Sequence, residues 1–431
     1  MRAKDANEGE GRECEAIESF ELMRSVVRGM AALIILVLLV GCGGMRPGPT
    51  PLPTALPPPP TAAFTPSPPQ PVTPSAAALP PANDTQLATF FFYWYNCPQR
   101  ECDAAQLSVV PPGWLAPLPG DGDARDGTAY SSVNYDWFEG ELRDMAAVGI
   151  DTVFPVSWGD HPHPWFRQDR LDLLVQANGV LERPLRVGMF LDTTAQQAMY
   201  NDFTADGYRF GRGVPPLPLG DPRSGYFFYE RHIKGFFERV PREMWATEGG
   251  RPIIIAYTAT CCSELQLSGA LWGAVKRAFA RDFGVEPWLI LEDTWFGPEA
   301  MAPGEGRLSA EQASDGRYSW GTALNGPSTR TVRGYSVSSV GPGFDNRRIT
   351  GIIDPRLQER SRAPDGSSSD GAFLRASLAA VPPDTDLLLI ETWNEWPEST
   401  GIARAGYIGA NGKPLPEDFY MQIVRKWRLG Q

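Results

Sequence analysis

Beyond residue 84 the chain repeats one pattern: a short, nearly continuous apolar run, then a longer amphipathic stretch. The apolar runs are Ala88–Tyr95, Asp151–Val156, Leu185–Leu191, Pro252–Tyr257, Pro287–Leu291, Arg317–Trp320, Tyr335–Val340 and Leu387–Thr392. Strands that are apolar along their whole length are covered on both faces, which is the signature of a parallel sheet flanked by helices. Helical spacing separates many of them. Trp137–Val148 puts Phe138, Leu142, Met145 and Val148 on one side, and Phe166–Asn178, Tyr226–Val240, Ser263–Phe283 and Gly371–Ala380 read the same way. Eight such units in roughly 350 residues predict a single α/β domain over residues 84–431, a (β/α)8 barrel with long loops. The competing architecture is a doubly wound open sheet. It lacks support because no Gly-rich phosphate loop follows the first run.

In a parallel barrel the chemistry sits at the C-terminal ends of the strands. Here those ends read Tyr93-Trp94-Tyr95, Ser157-Trp158-Gly159-Asp160, Glu292-Asp293-Thr294-Trp295, Gly341-Pro342-Gly343-Phe344-Asp345 and Glu391-Thr392-Trp393-Asn394-Glu395-Trp396-Pro397-Glu398. Aromatic faces and carboxylates with few cations suit a neutral sugar. Most of the 13 Trp, 13 Tyr and 21 Phe residues nevertheless have a core to fill, so aromatic content alone identifies nothing. The balance of 39 Lys and Arg against 51 Asp and Glu argues against a nucleic-acid partner, which requires a basic face.

Cleaving a glycosidic bond ordinarily takes two carboxyl groups, one to protonate the leaving oxygen and one to act as nucleophile or base. Glu395 and Glu398 are three residues apart, and a helical turn there would put both on one face. Spacing alone fits a solvated loop equally well. The surrounding residues separate the two readings. Asn394-Glu395-Trp396-Pro397-Glu398 resembles the Asn-Glu-Trp-His-Glu segment of family 99 glycoside hydrolases, endo-acting α-mannosidases on a (β/α)8 barrel. In the same order, Tyr93-Trp94-Tyr95, Tyr130-Ser131-Ser132, Ala147-Val148-Gly149-Ile150-Asp151 with Ser157-Trp158-Gly159, and Ser339-Val340-Gly341-Pro342-Gly343-Phe344-Asp345 resemble further motifs of that family, with Arg347 or Arg348 matching a later Arg. The likeness spans residues 88 to about 405.

That resemblance implies a glycoside hydrolase with Glu398 as general acid/base. Glu395 would deprotonate or polarise the sugar 2-hydroxyl, so that the substrate supplies its own nucleophile. Substrate-binding roles fall to Tyr93, Tyr95, Trp158, Asp160, Asn394 and Trp396, the ligand is a polysaccharide or oligosaccharide, and neither metal nor cofactor is implied. The sequence departs from the family at Pro397 (His there), Ser399 (Gly) and Gly401 (Gln). Cys97 and Cys102 replace a stretch containing His and Trp. A non-catalytic glycan-binding protein on the same barrel is the alternative, and a structural envelope protein a third reading that leaves the ordered mouth motifs unexplained.

The N-terminal region reads differently. Arg24 and Arg28 precede the apolar run Met30 to Val40, which ends in Leu39-Val40-Gly41-Cys42. A basic start, a short apolar core and small residues before a cleavage point describe a secretory signal over residues 23–41. The ending resembles the lipobox of bacterial lipoproteins, which implies lipidation at Cys42 and a membrane-anchored protein on the cell surface. An uncleaved anchor helix or plain secretion is the alternative. Residues 1–22, polar and rich in Glu, read as an upstream start extension. Residues 42–83 are dominated by Pro, Thr, Ala and Ser and cannot bury a core, so they read as an extended linker. Export makes a disulfide between Cys97 and Cys102 the expectation, whereas Cys261-Cys262 reads as buried thiols or a vicinal disulfide. His161-Pro162-His163 has no third ligand partner in the sequence and reads as a surface or subsite element. Glu292-Asp293 reads either as a further acid pair or as loop hydrogen bonding. A monomer is expected.

Overall fold

The computed structural model describes residues 85–93, 95, 115–116, 130–159, 168–193, 225–226, 228–257, 269–296, 310–347 and 355–431. The signal, Cys42, the linker, Trp94, Cys97, Cys102, Asp160, His161, His163, Cys261, Cys262 and Arg348 lie outside the described residues. Among the described residues no helix is long and apolar enough to cross a membrane.

All eight apolar runs contain a strand. They are β1 (Gln86–Phe91), β2 (Thr152–Ser157), β3 (Met189–Asp192), β4 (Arg251–Tyr257), β5 (Trp288–Glu292), β6 (Gly316–Tyr318), β8 (Tyr335–Val340) and β9 (Leu387–Ile390), with β7 (Ser328–Val332) inserted before β8. From β1 to β6 each strand pairs in parallel with the next. β9 lies parallel between β8 and β1. The hydrogen-bonded order is therefore β7-β8-β9-β1-β2-β3-β4-β5-β6, and the two ends come together because β6 packs on β7 and β8. Contacts through the interior fit a curled sheet: Phe90 of β1 meets Phe190 of β3 at 4.3 Å between ring centroids and Tyr318 of β6 at 6.0 Å. A flat sheet would keep β1 and β6 far apart. The result is a mixed α/β fold around a nearly closed, barrel-like sheet.

The helices follow from their caps and apolar faces. In α1 (Tyr135–Val148) the Asn134 side chain accepts from Asp136 N, Gly149 ends the helix in the left-handed region, and Trp137, Phe138, Leu142, Met145 and Val148 are buried. The others are α2 (Arg170–Gly179), α3 (Lys234–Arg239, entered through a π-helical turn, Tyr229–Ile233), α4 (Gly269–Phe283), α5 (Ala372–Ala379) and α6 (Phe419–Arg428). Between β6 and β8 strict alternation breaks down. One helical turn, Thr322–Asn325, is followed by the β7–β8 hairpin, which reverses through Arg333 (φ 49°) and Gly334 (φ 86°), both in the left-handed region that a tight two-residue hairpin turn requires. At the same N-terminal end of the parallel strands, Arg428 of α6 donates to Thr85 O and to Asp151, whose carboxylate also accepts from Leu87 N at 3.0 Å. That end is stapled shut and leaves the C-terminal strand ends to form the mouth.

Candidate active site

The segment following β9 is folded on itself by its own backbone. Thr392 N donates to Thr400 O, Thr400 N to Glu395 O, and Glu395 N to the Thr392 hydroxyl, at 2.8–3.0 Å. It forms turns and not the helical turn the spacing suggested. The residues around it are buried supports. Asn394 has no exposed surface: its amide oxygen accepts from Phe92 N (2.8 Å) and its amide nitrogen donates to Phe92 O (2.8 Å) and to the Tyr130 hydroxyl (3.0 Å). The Tyr130 hydroxyl also accepts from Trp396 Nε1 (3.0 Å). The Tyr95 hydroxyl donates to Asn394 O (2.6 Å) and accepts from Trp396 N (3.2 Å). Trp393 Nε1 donates to Glu141 of α1. The aromatic motif after β1 and the Tyr130 motif before α1 thus hold the acidic loop from behind.

Tyr93, Tyr95, Trp158, Asn394 and Trp396, expected to line subsites, are all 0–3 % exposed and carry the loop and its surroundings. Trp158 Nε1 donates to Asp192 (2.9 Å), and its ring lies 6.4 Å from that of Tyr93. Partly exposed aromatic surface belongs instead to Tyr257, at the end of β4, and Trp320, just past β6. The Trp320 ring stacks on Phe190 at 5.5 Å with the planes 15° apart, and lies 5.0 Å from Tyr257.

Two acids share the loop. Glu395 is almost sealed, and one of its carboxyl oxygens, Oε2, is buried without a hydrogen-bond partner. Burial, then the charge of Glu398, then that of Asp192 hold its carboxyl well above the usual carboxylate range. Glu398 is half-buried. Desolvation and the Asp192 charge push it up to about 7. Asp192, the last residue of β3, was missed in the sequence, although it directly follows the apolar run Leu185–Leu191 and so marks a C-terminal strand end. A carboxyl pair with raised and mutually dependent pKa values can keep one proton near neutrality, which is what general acid catalysis needs. Glu292 and Asp293 resolve as loop bonding. Glu292 accepts from Thr294 N (2.8 Å) and the Thr294 hydroxyl, and Asp293 pairs with Arg330 (2.8 Å) and Arg317. Among the described residues, no group of three or more His, Cys, Asp or Glu side chains is arranged to hold a metal ion.

Two stability predictions arise here. Ser399 adopts φ 56°, the left-handed region that a Cβ disfavours, and its hydroxyl is buried without a partner. Ser399→Gly removes both penalties against the extra chain entropy of Gly, and should raise stability by about 1 kcal/mol in denaturant unfolding. A loss of stability would refute this account of the turn. Glu391, at the end of β9, is also buried, accepting from Gly321 N (3.0 Å) and Ala323 N (3.4 Å) while Oε1 has no partner. Burial pushes it from 4.5 to about 8. The folded chain therefore holds a proton that the unfolded chain releases, and stability drains away as pH rises from about 4.5 to about 8. Glu391→Gln keeps an acceptor for the two amides and abolishes the ionisation. It should be close to neutral at pH 4 and stabilising by roughly 3–5 kcal/mol above pH 8, measured by urea unfolding at both pH values. A gain independent of pH would show that Glu391 does not hold that proton.

The family model for the domain of unknown function DUF5010 matches residues 84–428. The chain belongs to the DUF5010 family. Comparison with curated proteins finds no match. Among solved structures, this DUF5010 chain is similar to the family 99 endo-α-mannosidase of Bacteroides thetaiotaomicron in complex with bis-tris propane, with a TM-score of 0.50 at 15% identity over 80% of this chain and 96% of that one. A glycoside hydrolase-like protein aligns with a TM-score of 0.49 at 11% identity, over 82% of this chain and 96% of that one. At these identities the first likeness shows a glycoside-hydrolase-like fold and nothing finer.

Proposed function

We propose that this DUF5010 domain is a glycoside hydrolase on a (β/α)8-type barrel, cleaving α-mannoside-type or related polysaccharide linkages. Glu398 serves as general acid/base and Glu395 acts on the sugar 2-hydroxyl. The observation that carries the reading is the carboxyl pair: two acids on the loop after the last strand, both raised, one sealed and one half-buried. A solvated loop would leave both near their ordinary value. A hydroxyl hydrogen-bonded to Glu395 favours its charged form and moves the shared proton to Glu398, where it can reach a leaving oxygen. Tyr257 and Trp320 offer the ring faces on which a sugar stacks. Tyr93, Tyr95, Trp158, Asn394 and Trp396 act from behind, and Asp160, just beyond Gly159, would join at the edge. We further propose that the protein is an exported monomer, anchored to the membrane through a lipidated Cys42, held off it by the Pro-rich linker and closed by a Cys97–Cys102 bridge.

The second reading, a glycan-binding lipoprotein without turnover, draws on the same exposed rings. Incubation of the purified protein with α-mannans and a panel of bacterial and plant polysaccharides separates the two. Release of sugars supports the hydrolase; binding without release on every glycan establishes the binding protein.

A further inference from the structure

The loop that carries Glu398 is gripped from outside by the segment that continues the motif of residues 339–345. After β8 the chain passes Gly343 and forms a two-stranded ribbon, Phe344–Asp345 antiparallel to Leu357–Gln358. Asp345 N donates to Glu398 O at 2.9 Å. Two residues beyond the ribbon lies Arg360, 5 % exposed, whose single nitrogen Nη2 donates to Ser399 O (2.6 Å) and to Gly401 O (2.7 Å). Its guanidinium lies over the rings of Tyr407 (5.5 Å) and Tyr420 of α6 (4.5 Å). Gly343, at φ 124°, makes room for it: a Cβ there would stand 2.7 Å from Arg360 Cγ. The ribbon and Arg360 together hold the carbonyls of residues 398, 399 and 401, the backbone on which the Glu398 side chain is mounted.

We propose that Arg360 is the positioning residue for Glu398: it fixes the 398–401 backbone so that this carboxyl faces Glu395 across the mouth. This rests on the hydrolase reading for its kinetic consequence but not for its structural one. A buried cation is tolerated only where acceptors and ring faces surround it, and this one has both. Nη2 alone reaches both carbonyls, and the plane of the guanidinium is held against the Tyr407 and Tyr420 rings in a way that a Lys ammonium on a flexible stem cannot reproduce. A small displacement of a reacting group is costly in rate even when binding survives.

The test compares wild type with Arg360→Lys and Arg360→Met, after thermal melting confirms which variants are folded. Two quantities are read: kcat and KM on any glycan the wild type cleaves, and the titration of Glu398 followed by the 13C-carboxyl signals of labelled Glu, with Glu395 and Asp192 the charged groups facing it and the Asp345–Arg347 pair beside its backbone. The expected result for Arg360→Met is a fall in kcat of about 100-fold with KM nearly unchanged, and a Glu398 carboxyl that titrates closer to 4.5. Arg360→Lys, which keeps the cation, should recover part of both. A folded Arg360→Met variant with wild-type kcat and Glu398 still titrating near 7 would overturn the proposal. Should the wild type cleave no glycan, the hydrolase reading fails separately, and the titration alone decides: an unmoved Glu398 overturns the positioning role and a moved one supports it.

Discussion

Glu398→Gln is expected to lower glycan cleavage by a factor of ~10²–10⁴, the usual worth of a positioned general acid, while leaving glycan binding intact. The amide matches the carboxyl in shape and keeps the half-buried position, so the loss isolates proton donation. Glu395→Gln should cost a comparable factor for a different reason, because an amide oxygen can accept a hydrogen bond from the 2-hydroxyl but cannot take its proton. The two are told apart by the leaving group. An activated aryl glycoside departs without a proton, so it should restore much of the rate to Glu398→Gln and little to Glu395→Gln. Release by Glu398→Gln at the wild-type rate on an unactivated glycan would mean that the acid lies elsewhere. Glu391, Asp192 and Glu292, buried carboxyls at C-terminal strand ends, would then be the next residues to replace.

Much of the architecture was legible because the sheet is parallel and buried on both faces. Each strand then has to be apolar throughout, and the eight apolar runs coincide with the eight parallel strands to within a few residues. The β7 strand was not legible. Ser-Thr-Arg-Thr-Val is mostly polar, and its place is fixed by pairing with β8 and by a turn that puts Arg333 in a conformation its residue type does not advertise. At the site, the positions of Glu395 and Glu398 were readable from motif order and strand-end location. The division of labour around them was not. A Tyr or Trp at a strand end looks the same in sequence whether it faces a ligand or, like Tyr95 and Trp396, buries its ring and gives its polar atom to the loop. Asp192 was within reach, since the residue after each apolar run is a strand-end position and this one is a carboxylate. Arg360 was not, because its two acceptors are backbone carbonyls some forty residues away and carry no sequence signal.

The pH dependence of cleavage should be displaced to the alkaline side of 7. The pair has three protonation states, and only the one with a single proton contains both an acid and a base. With Glu398 pushed up to about 7 and Glu395 also held well above the usual carboxylate range, both carboxyls are protonated at pH 5, and the base is missing. The first proton leaves near 7, so kcat/KM should climb about tenfold per pH unit up to that point, hold above it, and fall only where the second proton is lost. Two ordinary carboxyls near 4.5 would instead give an acidic optimum. Asp192 is the adjustable part of this arrangement, since its charge opposes ionisation of both partners. Asp192→Asn keeps an oxygen to accept from Trp158 and removes the charge, so the rising limb should move from about 7 part of the way toward 4.5 with little change in the maximum rate. A profile that stays in place would show that burial alone sets the pair. A profile that moves up would mean that Asp192 is itself protonated in the resting site and donates to a carboxylate instead of repelling it.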